Sequence, residues 1–102
     1  MLARQTTVFL YSFLLGALSL VAGCQTVPPV QEMSDARQAI MAAKEAGAEE
    51  KAPAEFEQAV EHLHAAEEAL TQKQYLSARR DAVTAKDKAI IALKLSETED
   101  SP

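Results

Sequence analysis

Residues 53–96 read PAEFEQAVEHLHAAEEALTQKQYLSARRDAVTAKDKAIIALKLS, and the placement of alanine in this stretch decides the fold. Phe56, Ala59, Leu63, Ala66 and Leu70 recur at steps of three, four, three and four. After a break the rhythm returns in Tyr75, Ala78, Ala82, Ala85, Ala89 and Ala92. Such steps keep a narrow stripe on one side of an α-helix, the a/d seam of coiled-coil-like packing. Alanine at most seam positions lets helix axes approach at or below the low end of the usual separation of about 8–10 Å. Each alanine buries little area, so stability per residue is thin.

Punctuation places the helix ends. Pro53 fits the first helical position, and Glu55 and Glu57 suit the positive end that follows it. This second helix is expected to run to about residue 71, and a third from about 75 to 96. The turn between them falls near Gln72-Lys73-Gln74, which holds neither Gly nor Pro. One bent continuous helix is therefore the competing reading. A first helix is expected from about residue 34 to 46, with Ser34 as N-cap, Asp35 beside it, Gly47 as the C′ residue and a stripe of Ala36, Ala39, Ala43 and Ala46. The expected fold is all-α: a short antiparallel alanine-rich hairpin or a three-helix bundle. The third helix carries a neighbouring strip of Leu76, Val83 and Ile90, which predicts that it touches two partners and is central.

Charge favours an antiparallel hairpin. Residues 53–72 hold five acidic side chains and no basic one; residues 75–96 hold five basic and two acidic. A turn centred on Lys73 brings Glu67 opposite Arg79, and an ion pair is expected there. Exposed pairs contribute only about 0–1 kcal/mol, so its role would be to fix orientation.

Upstream, the chain has a different character. Arg4 precedes an uncharged, mostly apolar run over residues 8–21. The run has the length of a signal-peptide core and is shorter than the roughly 20 residues that cross a bilayer. It ends in Val21-Ala22-Gly23-Cys24, which holds the only cysteine. This motif resembles the lipobox of bacterial lipoproteins. The resemblance implies cleavage between Gly23 and Cys24, a diacylglyceryl group on the Cys24 thiol and acylation of the freed amine. The physical sense is plain: a free thiol in an oxidising compartment invites unwanted bridges, and one acyl chain alone anchors only marginally. Gln25 stands where an Asp would resemble an inner-membrane retention signal, so the expected address is the outer membrane, facing the periplasm.

The expected organisation is then a signal peptide over 1–23, a lipidated cysteine and flexible tether over 24–33, a helical domain over 34–97 and an acidic tail over 98–102. Pro28-Pro29 in the tether favours extended polyproline geometry. Removing residues 1–23 takes away Arg4 and no acidic residue, moving the formal net charge from −5 to −6. Such an acidic surface is expected to be a poor partner for nucleic acid and for anionic head groups.

Catalytic and metal-binding constellations are not expected. His62 and His64 point to nearly opposite sides of a helix. Glu57, Glu61 and His64 share a face that would hold a metal weakly at best, and a solvated acidic face is the simpler reading. Glu67 and Glu68 diverge by about 100° and form no acid–base dyad. Ser34, Ser77 and Ser96 have no His-Asp partner at suggestive spacing. The chain reads as a non-enzyme with no cofactor and no metal site.

The pattern SDARQAI, AAKEAGAE, APAEFEQAVEHLHAAEEAL and KQYLSARRDAVTAKDKAI, spread over residues 34–90, resembles a family of small Gram-negative lipoproteins. That family is known as a domain of unknown function, found alone or ahead of an OmpA-like peptidoglycan-binding domain. The resemblance implies an envelope-associated helical module and brings no catalytic residues. No OmpA-like extension is visible here, so glycan binding does not carry over. Residues 54–89 also look like a tetratricopeptide unit offset by one helix, although such units normally stack to build a core. The expected function is an outer-membrane-anchored helical adaptor with a protein partner in the envelope. The alternative is a structural alanine-zipper lipoprotein, which would use the same stripe to form a homo-oligomer. The ending EDSP predicts no covalent link to peptidoglycan through a terminal lysine.

Overall fold

The computed structural model describes residues 7, 8, 10–12 and 27–99. The other positions of the expected signal peptide, the expected cleavage site Gly23-Cys24 and Gln25 lie outside the described residues. From residue 27 onward the described chain is helical: α1 (Val30–Glu45), the single turn α2 (Ala48–Lys51), α3 (Pro53–Thr71) and α4 (Tyr75–Glu99). Three long helices run up, down and up. α3 and α4 form an antiparallel hairpin, and α1 lies against both, parallel to α4. Neighbours in space fix the register. Met33 meets Ala66 and Ala82 at one end of the bundle, and Ala43 meets Ala52 and Ala92 at the other.

The alanine stripe of α4 is the axis of this packing. Ala78, Ala82, Ala85, Ala89 and Ala92 are fully buried, and Ser96 continues the stripe by one more step of four. Its hydroxyl donates to the Ala92 carbonyl at 2.7 Å, so the polar group is satisfied inside its own helix. On α3, Ala59 and Ala66 are fully buried, while Phe56, Leu63 and Leu70 are half-buried and close the sides of the seam. Tyr75, at the start of α4, is also half-buried. Small side chains leave room for two helices to converge on one stripe of α4. That is why the strip of Leu76, Val83 and Ile90 is not the second contact face expected for it. Leu76 and Val83 are exposed and Ile90 is half-buried, because α1 and α3 both pack on the alanine side.

The α3–α4 turn resolves the choice between a hairpin and a bent helix. Lys73 has a φ of 60°. The Lys73 N–H donates to the Leu70 carbonyl at 3.0 Å and the Gln74 N–H to the Ala69 carbonyl at 2.9 Å. This is a Schellman ending with lysine in the left-handed C′ position usually given to glycine. Sequence offers no glycine there, yet the seam registers on either side of the turn require a reversal. The equivalent position after α1 is Gly47, φ 84°, whose N–H donates to the Lys44 carbonyl at 3.0 Å. Pro53 occupies the first turn of α3 as its missing N–H permits.

α1 departs from expectation at its start. It begins at Val30, not near Ser34, and Pro29 is its N-cap with the Met33 N–H donating to the Pro29 carbonyl at 3.1 Å. Pro29 has φ −81° and ψ 56°, away from the polyproline ψ of about 145°. The reason lies in Met33, which is 2% exposed and fills the gap between Ala66 and Ala82. Helical geometry through residues 30–33 is what puts that side chain on the seam. The buried stripe of α1 is accordingly Met33, Ala36 and Ala43, and Ala39 and Ala46 are only half-buried. The stretch assigned to a flexible tether therefore contributes a core residue.

Candidate functional site: the clasp at the turn end of the bundle

Polar contacts between helices concentrate at the end of the bundle that holds the α3–α4 turn. Arg79, on the first turns of α4, donates from Nε to Glu32 Oε1 at 3.0 Å and from Nη2 to the Val27 carbonyl at 3.2 Å. One guanidinium thus joins α4, α1 and the residues just ahead of α1. Arginine suits the task because its planar fork offers donors in two directions at once. The Glu32 carboxyl is held below the ordinary glutamate range, first by its own backbone N–H; partial burial opposes this, the Arg79 hydrogen bond and charge add to it, and Asp35 works against it.

Two further pairs tie the remaining helices nearby. Arg37 Nη2 of α1 lies 3.7 Å from Glu67 Oε1 of α3. His62 Nδ1 of α3 lies 3.2 Å from Asp81 Oδ1 of α4. The ion pair expected between Glu67 and Arg79 is corrected by this geometry. Both residues sit beside the seam, but each finds its partner on α1, Arg37 for Glu67 and Glu32 for Arg79. A two-helix argument could not contain that outcome. The His62–Asp81 contact follows from the antiparallel register, and its signal in the sequence was the two residues' equal distance, within a few positions, from Lys73.

Chemically the arrangement is a clasp. It fixes helix order and holds the backbone at Val27 against α4, and its side chains are spent on one another. Around the turn the surface is open and shallow, lined by Lys73, Gln74, Tyr75, Leu76 and Ser77. Among the described residues no group of three His, Cys, Asp or Glu side chains is arranged to hold a metal ion. Among the described residues no helix is long and apolar enough to cross a membrane.

The family profile of a domain of unknown function, DUF4398, matches residues 31–101. This chain belongs to that family. The match opens at Gln31, within the first turn of α1, so the DUF4398 unit takes in the clasp residue Glu32 and the buried Met33 as well as the hairpin. No curated protein and no solved structure matches the chain.

Proposed function

We propose that this DUF4398 chain is a lipid-anchored envelope protein that acts as a helical adaptor: acylated on Cys24, held at the outer membrane and facing the periplasm. The observation that carries the anchor is the Val21-Ala22-Gly23-Cys24 motif closing an uncharged run, with the helical unit starting only a few residues later. Support for an adaptor over an alanine zipper between chains comes from the seam itself. Its alanines are already fully buried against helices of the same chain, which leaves no bare alanine stripe on α4 for a second copy. What α4 offers outward is a mixed face of exposed Val83, Ile91 and Leu95 among charged residues. Such a face suits a protein partner better than a small-molecule substrate.

Labelling with radioactive palmitate in a Gram-negative host tests the anchor. Wild type should take up label and be processed, whereas Cys24→Ser should stay unlabelled as a precursor or be mislocalised. Equal labelling of both would overturn the assignment. A photoreactive residue at Val83 or Ile91 then tests the adaptor role, and a discrete crosslink to one envelope protein is the expected result.

A further inference from the structure

The clasp sets how close the bundle comes to its anchor. Val27 is pinned to the first turns of α4 by Arg79, and only three residue steps separate it from Cys24. At about 3.6 Å per residue, those steps span at most about 11 Å. The hydrophilic layer of one leaflet is roughly 5–8 Å deep. α4, at about 1.5 Å per residue, is roughly 37 Å long over its 25 residues. On the lipid-anchor reading, on which this inference rests, the turn end of the bundle therefore lies at the bilayer surface and the C-terminal end of α4 stands well away from it.

The side chains at the two ends match that polarity. Val27, Val30 and Leu76 are 54%, 69% and 55% exposed, somewhat more bare than Met41, Ile91 and Leu95 toward the other end, at 62%, 44% and 42%. Lys73 and Arg80 are exposed beside them. Of the acidic groups at this end, Glu32 is paired with Arg79, Glu67 with Arg37 and Asp81 with His62. Asp35, which accepts only from the neutral Gln31 amide, and exposed Glu68 keep their charges, so they balance Lys73 and Arg80 and this end has no acidic excess. At the opposite end Glu49 is paired with Lys44 at 3.7 Å, and exposed Glu45, Glu50, Glu97 and Glu99 outnumber exposed Lys94. We propose that Val27, Val30, Lys73, Leu76 and Arg80 form a membrane-docking face, which seats the bundle end-on against a phospholipid surface and presents α4 upright to the periplasm. Aliphatic groups enter the interface, cations meet lipid phosphates, and the acidic end is repelled. Near a membrane each such cation favours the bound orientation about five-fold.

The test uses the full acylated chain in vesicles of phosphatidylethanolamine and phosphatidylglycerol. Acylation occupies the Cys24 sulfur, so a nitroxide can be placed by Ser77→Cys beside the proposed face or by Glu97→Cys at the far end, both exposed positions. The label at 77 should collide with a water-soluble nickel chelate several-fold less often than the label at 97, and the combined change Lys73→Gln with Arg80→Gln should erase much of that difference. Equal accessibility at 77 and 97 on vesicles that still float with the protein would overturn the docking face and leave the anchor standing. Protein that does not float with the vesicles would overturn the anchor, and the docking face with it.

Discussion

Ala82→Leu is the sharpest probe of the packing. Ala82 is fully buried where α1, α3 and α4 meet, against Met33, Ala66 and half-buried Leu70. Leucine adds three carbons at a position that has alanine in front of it and a tightly held methionine to the side. Met33 is 2% exposed and is held in place by the start of α1, so it has little freedom to retreat. The added volume must then come from spreading the helices, which overpacking data put at about 1–3 kcal/mol. In a domain of this size each 1 kcal/mol lowers the melting midpoint by about 4–8 °C, so a fall between about 4 and 24 °C is expected. Thermal and urea unfolding followed by circular dichroism, on a chain beginning at Gln25, measures it. Ser77→Ala, on the exposed side of α4, is the control and should change stability by no more than about 0.5 kcal/mol. A neutral or stabilising Ala82→Leu would refute a filled seam and favour a looser assembly completed between chains. A midpoint that rises with protein concentration would point the same way.

Lys73→Gly should stabilise by about 0.5–1 kcal/mol, since a lysine in the left-handed region is strained by about 1–2 kcal/mol and glycine's greater unfolded freedom returns part of the gain. Gly47→Ala should cost about 1 kcal/mol for the same reason at φ 84°, the added methyl meeting only ordinary contact with Lys51; urea midpoints of both variants check the pair. Glu32 binds its proton less readily folded than unfolded, so its stabilising contribution is complete at neutral pH and is lost as pH falls through and below about 4.3. Arg79→Ala should lower the midpoint at pH 7, and its difference from wild type should narrow in acid unfolding below that value; a difference that stays constant would refute the clasp. If the proposed anchor holds, Gln25→Asp should move the protein toward the inner membrane in an enteric host, read from density-gradient fractions; unchanged fractions would count against the outer-membrane address.

Local chemistry sufficed for much of this protein. Alanine at steps of three and four from Ala59 to Ala92 specifies helices and the face they bury, because period and side-chain size are properties of the chain itself. Pro53 and Gly47 fix ends for a similar reason, each through its own backbone restriction or freedom. The resemblance of Val21-Ala22-Gly23-Cys24 to a lipobox, too, is legible only as sequence. What the tertiary structure decided was which helix meets which. The choice of hairpin over one bent helix rests on Lys73 accepting a strained conformation so that both halves of the seam close. The early start of α1 exists because Met33 is needed between Ala66 and Ala82, and nothing within residues 28–33 announces that need. The partners of Arg79 and Glu67 both came from a third helix, α1. Each of these is a contact between segments far apart in the chain, whose free energy appears only once the helices have packed.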